Sequence, residues 1–279
     1  MINIPVAAET VLYIGSFPIS NALMNAVLAM LVLVVASWYL KHFAKERPKR
    51  FQNAVEMVLE FLFGFFDRVT GDREKSKQFL PIAGTLFLFI LLCNWMGLLP
   101  GVGSIGIWEE VHGKMELVPL FRSANSDLNL TLAMALLSVV GSHIIGIVAL
   151  GFFTHTNKFF QFGTVWKALK KLKPIDILTA LVEFVVGIIE FFGEIAKIAS
   201  LSLRLFGNVF AGEVLLAVIA SLVSYFIPLP FMAIELLVGV VQATVFAMLT
   251  LVYLTIMTKA PHGESHEEHG AAKHAEAAH

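Results

Sequence analysis

The sequence predicts an all-α polytopic membrane protein, with three ordinary transmembrane helices followed by a long, steeply tilted helical hairpin. Composition is the first observation behind this: 57% of the 279 residues are hydrophobic and 15% charged, where soluble domains carry about 25% charged residues. The mean hydropathy of +0.79 agrees. The second is length, since the apolar runs reach the roughly 20 residues needed to cross a hydrocarbon core. A formal net charge of −1 provides no basic surface for nucleic acid, so local charge carries the information.

Residues 1–20 contain no Lys or Arg. They lack the basic region of a cleavable leader, and the first apolar run, 21–40, is read as a permanent span. Pro18 and Ser20 precede it. The second span is expected at 82–99, opened by Pro81 and ended by Pro100, where proline costs no intrahelical bond. The third covers 130–153. Between the first two, residues 51–66 form an amphipathic segment expected to lie along the membrane surface.

Orientation follows from the basic residues. The stretch 41–77 holds nine Lys or Arg and 154–175 holds five, against two in 100–129. The positive-inside rule places the first two in the cytoplasm, and the 1–20 segment and 100–129 outside. Cys93 stands alone in an apolar run, a small core- or lipid-facing residue with no disulfide partner. His143 and His155 are read as packing or interfacial residues.

From Asp176 to Ile227 no proline or turn cluster interrupts 52 residues. As one helix they would extend about 78 Å, more than twice the membrane core, so the segment either breaks into two spans or tilts steeply. Splitting it near Arg204 needs a turn that the residues do not supply, and the tilted form is expected, returning through Pro228 and Pro230 into a second arm at 231–258. The tail 259–279 is polar, holds five of the nine histidines, and is expected to be a disordered cytoplasmic extension. His266 and His269 miss the zinc-protease spacing by one residue, and no metal, cofactor or catalytic residue is expected.

The hairpin carries charges that an apolar helix should avoid. Arg204 and Glu213 are the strongly ionisable residues of 198–227, and Glu235 that of 231–258. An arginine at mid-membrane costs from about 2.5 to more than 10 kcal/mol, which some interaction must offset. Glu183, Glu190, Lys197 and Arg204 recur every seven residues, drifting only about 20° per heptad. Asn208 extends this stripe by one turn, whereas Glu213 lies on the opposite side. Glu235 and Gln242 are also seven residues apart and can face the first arm together. Carboxylates exchange protons while a guanidinium stays charged. Acids interrupted by one permanent cation suit a two-sided ion path with a barrier; the bland alternative is an Arg–Glu pair that locks two helices.

The segment LSLRLFGNVFAGE, 201–213, closely resembles the signature of subunit a of the F-type ATP synthase. KRFQNAVEMVLEFL at 49–62, NWMGLLPG at 94–101, SDLNLTLAMAL at 126–136 and VQATVFAMLTLVYL at 241–254 extend the resemblance through most of the chain. It implies that Arg204 is the essential arginine, that Asn208 and Gln242 are its polar neighbours, that Glu213 is the acid of an outer half-channel, and that Glu190 is an acid of the cytoplasmic one. Lys197 is matched in the family as well. Positions 213 and 235 are commonly one Glu and one His, and here both are Glu. The implied function is that of a stationary, non-catalytic channel subunit passing protons, with sodium as the alternative ion, to and from a rotating ring of c subunits. Peripheral stalk b subunits and the lipid bilayer are the other implied partners, in a bacterial inner (plasma) membrane. A secondary transporter would show an internal repeat of broken helices, which this sequence lacks; an intramembrane hydrolase would show a nucleophile or metal motif, also lacking.

Overall fold

The computed structural model describes residues 8–43, 50–99, 105–111, 114–159, 174–222 and 226–259. Its helices are α1 (Asn21–Phe43), α2 (Arg50–Thr70), α3 (Arg73–Gly97), α4 (Leu128–Leu150), α5 (Phe152–Phe159), α6 (Pro174–Leu222) and α7 (Pro228–Thr258). Five of them, α1, α3, α4, α6 and α7, are long and apolar enough to cross a membrane. The chain is an all-α polytopic membrane protein. Side chains such as Val35, Leu137, Ile189 and Leu237 stand exposed along these helices, because lipid is as apolar as they are and no hydrophobic force drives them inward.

The long first arm is one unbroken helix of 49 residues. It begins at Pro174, a first-turn position where the absent N–H is not needed. Pro228 and Pro230 do not form a turn before the second arm, as the sequence suggested; both lie in the first turn of α7, for the same reason. Pro81 is likewise not a helix start but lies inside α3. That helix starts eight residues earlier because Asp72 caps it, its carboxylate accepting from the Glu74 N–H at 2.9 Å. Gly71, at φ +68°, supplies the left-handed residue that ends α2 and admits this cap.

The expected third span, 130–153, stops at Leu150. Gly151 at φ +86° turns the chain there, and its N–H closes α4 on the Ile147 carbonyl at 2.8 Å while its own carbonyl accepts from His155 at 3.0 Å to open α5. Two antiparallel hairpins were not foreseen: β1 (Thr10–Ile14) with β2 (Phe17–Ser20), and β3 (Gly106–Val111) with β4 (Lys114–Pro119). The tail 260–279, including His266 and His269, lies outside the described residues.

The chain divides into two compact units, 1–137 with 198–252, and 138–197 with 253–279. In the first, Ala26 and Ala29 of α1, Cys93 of α3 and Ala124 form a buried cluster flanked by Phe89, Leu92, Met96 and Leu130. Small residues at this contact let the helices approach closely, which is how membrane helices gain packing energy. α2 is fastened to the start of α3 by the Arg73 guanidinium, which meets Asp67 at 2.6 Å and lies 3.9 Å over the Phe63 ring.

Candidate functional site

In the first unit the approach to α4 delivers a buried arginine. The segment 119–126 is stitched to α1 and α3 by asparagines: Asn21 donates to the Pro119 carbonyl at 3.3 Å, Asn25 to that of Arg122 at 2.8 Å, and Asn125 to Ile90 O at 3.1 Å and Asn94 Oδ1 at 2.6 Å. Gly97 permits this docking, since a Cβ there would stand 2.6 Å from that of Ser123. Arg122, 5% exposed, is thereby aimed at α6, and its Nε donates to both oxygens of Glu213 at 2.9 and 3.1 Å. Its guanidinium also lies 5.8 Å from the centre of the Phe210 ring.

One turn toward the start of α6, Asn208 donates to Gln242 Oε1 at 2.8 Å. Seven residues before Gln242, the half-buried Glu235 carboxylate rests against Gly212. Any side chain at 212 would occupy the carboxylate's place. Glu235 and Gln242 thus both address α6, at positions four residues apart. Asn94 and Trp95 of α3 donate to the Gly239 and Leu236 carbonyls of α7, each at 3.3 Å. Buried polar groups in a membrane helix are costly unless bonded, and here the α3, α6 and α7 groups largely bond one another. The Gln242 amide nitrogen is the exception, buried without a partner among the described residues.

Arg204 stands apart from this network. It is exposed on α6 and, among the described residues, meets only Ser200 Oγ, at 3.4 Å. The ion pairs among the described residues do not include it. The helix-locking Arg–Glu pair does exist in this chain, but it is Arg122–Glu213.

The second unit holds another polar cluster. Glu194, 7% exposed, accepts from the Lys197 ammonium at 2.6 Å and meets His143 Nε2 at 3.3 Å. His143 Nδ1 is 3.1 Å from His155 Nε2, and Lys197 lies 5.2 Å from the centre of the Tyr253 ring. The heptad stripe is therefore not a chain of contacts. Glu183 is half-buried and Glu190 exposed, neither with an ion pair among the described residues, and Lys197 turns to an acid three residues away.

Sequence reasoning overlooked Arg122 and Glu194 and gave His143 and His155 no polar role. Glu194 was visible as an i,i+3 partner of Lys197, and Arg122 as a lone cation just before an apolar run. Their long-range partners have no sequence signal.

A protein-family model described as ATP synthase A chain matches residues 22–255. Among curated proteins, the chain is 28% identical over 244 residues to the ATP synthase subunit a of Moorella thermoacetica, covering 88% of this chain and 93% of that one. It is 30% identical to the subunit a of Acidothermus cellulolyticus, covering 93% and 84%, and 32% identical to that of Syntrophobacter fumaroxidans, covering 74% and 71%. With a membrane-spanning architecture and a match over nearly its whole helical part, the chain belongs to the ATP synthase A chain family.

Proposed function

We propose that the chain is the stationary, non-catalytic channel subunit of the membrane sector, passing protons through two offset half-channels to and from a ring of c subunits. The observation that carries this reading is Arg204: a permanent cation exposed on a membrane-spanning helix, with no carboxylate partner among the described residues. An unpaired guanidinium in hydrocarbon is untenable, so its counter-charge is assigned to another subunit. A ring carboxylate supplies it. Glu213, Glu235, Asn208 and Gln242 form the outer half-channel in this reading, and Glu190 with the Lys197 region the inner one. The charged loops support an outside N-terminus and a cytoplasmic C-terminus in a bacterial plasma membrane, with b subunits holding the chain against rotation.

Sided thiol labelling tests the two half-channels. In a Cys93→Ser background, Glu213→Cys is expected to react with a membrane-impermeant reagent added outside, and Glu190→Cys with the same reagent added inside. Reversed sidedness, or labelling of both from one side, contradicts the arrangement.

Glu235 is assigned the exchange of protons in the outer half-channel. Glu235→His is therefore expected to keep a substantial part of gradient-driven ATP synthesis, since imidazole also exchanges protons, while Glu235→Leu loses most of it. Equal rates in reconstituted vesicles would reduce Glu235 to a packing residue.

A further inference from the structure

The cluster of the second unit has a geometry that packing does not require. His143, on an apolar helix, uses both ring nitrogens: Nδ1 faces His155 Nε2 at 3.1 Å and Nε2 faces Glu194 Oε2 at 3.3 Å. Glu194 Oε1 is held by Lys197 at 2.6 Å. The four side chains form a line from α5 through α4 to α6, with the Tyr253 ring of α7 beside Lys197. A metal site needs donors converging on one point, but His143 is the middle link of this line, with each nitrogen committed to a different neighbour. No metal-binding group of three such residues occurs among the described residues.

Two backbone features build the line. Gly151, at φ +86°, turns the chain so that α5 doubles back and brings His155 beside His143. Gly146 leaves room for the incoming ring: a Cβ there would lie 2.8 Å from His155 Cε1 and 2.8 Å from the Met257 carbonyl oxygen. His155 is left 4% exposed.

We propose that His155, His143 and Glu194 are a proton relay of the inner half-channel, with Lys197 as the positioning residue that orients the carboxylate. This rests on the two-half-channel reading and specifies its inner path. Outward from the ring, a proton on Glu194 Oε2 passes to His143 Nε2 as the Nδ1 proton leaves for His155 Nε2. His155, now protonated on both ring nitrogens, passes its Nδ1 proton on toward the loop side. Each imidazole gains a proton at one nitrogen and loses one from the other, so charge balances, and each ring must return to its starting tautomer before the next transfer; the reverse sequence serves transport in the other direction. Histidine suits the task because its two ring nitrogens can accept a proton on one side and donate one on the other.

The test uses the whole complex reconstituted in vesicles, with rates normalised to assembled complex and the pH of the loop side varied. His143→Gln retains a hydrogen-bonding side chain but cannot relay a proton, and is expected to slow gradient-driven synthesis about a hundredfold, the lower end of the range for loss of a proton-transferring group. Its dependence of rate on loop-side pH should also differ from that of the parent, since an amide that does not titrate replaces an imidazole that does. His155→Gln should do the same, and Gly146→Ala should reproduce the defect with every titratable group still present. Unchanged rate and pH profile in an assembled His143→Gln or His155→Gln complex overturns the relay. Should His143→Gln assemble poorly, His155→Gln on the short helix α5 decides the matter by its pH profile. Arg204→Ala in the same assay separates the two levels. Normal synthesis there sinks the half-channel reading itself, whereas an inactive Arg204→Ala beside normal histidine variants removes only the relay.

Discussion

An assembled complex carrying Arg204→Ala is expected to lose gradient-driven ATP synthesis by about a hundredfold or more, the scale on which removal of a preorganised charge acts, while its yield stays near that of the parent. The yield follows from what Arg204 does not do. Among the described residues it meets Ser200 alone and enters no ion pair, so its loss unfastens none of the described helices and removes a cation costing at least about 2.5 kcal/mol to hold at mid-membrane. The activity follows from what remains. On the proposed reading, a ring carboxylate without the guanidinium beside it can stay protonated as it passes, and nothing separates the outer path from the inner one. Passive proton leak through the vesicle membrane is expected to rise. Arg204→Lys should also fail, because an ammonium is a point charge without the planar, always-charged fork. ATP-synthesis rate, leak and yield of assembled complex are the three measurements. Normal coupled synthesis by assembled Arg204→Ala ends this mechanism, and a collapse in yield alone returns Arg204 to a structural role.

Helices were legible in the sequence because in a membrane the apolar run is itself the element. Runs at 21–40 and 231–258 lie within α1 and α7, and the uninterrupted 176–227 segment is a single helix through Leu222. Their ends were less legible, because proline was read as punctuation. Pro81 lies inside α3 and Pro228 inside α7; the true stops and starts are set by Gly71, Asp72 and Gly151, whose roles depend on φ and on a capping bond. Heptad spacing placed Glu235 and Gln242 toward the first arm, where the structure has them. The same spacing suggested a continuous stripe from Glu183 to Arg204, but shared azimuth on one helix is not contact, and Lys197 pairs with Glu194 instead. Arg122 and Glu213 are 91 residues apart. No local pattern announces such a pair; it arises only when asparagines on α1 and α3 fix the segment that carries the arginine.

Arg122 and Glu213 make the second large expected effect, because one side of the pair is almost wholly buried. The Arg122 side chain is 4% exposed and that of Glu213 29%. Removing one member of a buried pair costs about 3–5 kcal/mol by leaving the other charge uncompensated, and replacing both by neutral groups of similar size is often close to neutral. The partial exposure of Glu213 puts this pair near the lower end. Arg122→Met is therefore expected to lower the yield of assembled complex severalfold, and Glu213→Gln to do so as well, by depriving the buried arginine of this carboxylate. The Arg122→Met/Glu213→Gln double variant should recover much of the yield, since both charges leave together. Synthesis should not recover with it. If Glu213 passes protons on the outer side, the double variant assembles but remains slow, because glutamine cannot exchange a proton. If Glu213 is only the counter-charge of Arg122, yield and synthesis return together. Comparing the two recoveries, in one vesicle preparation at fixed gradient, therefore separates the helix-holding part of this pair from its part in transport, and a double variant with normal synthesis removes Glu213 from the outer half-channel.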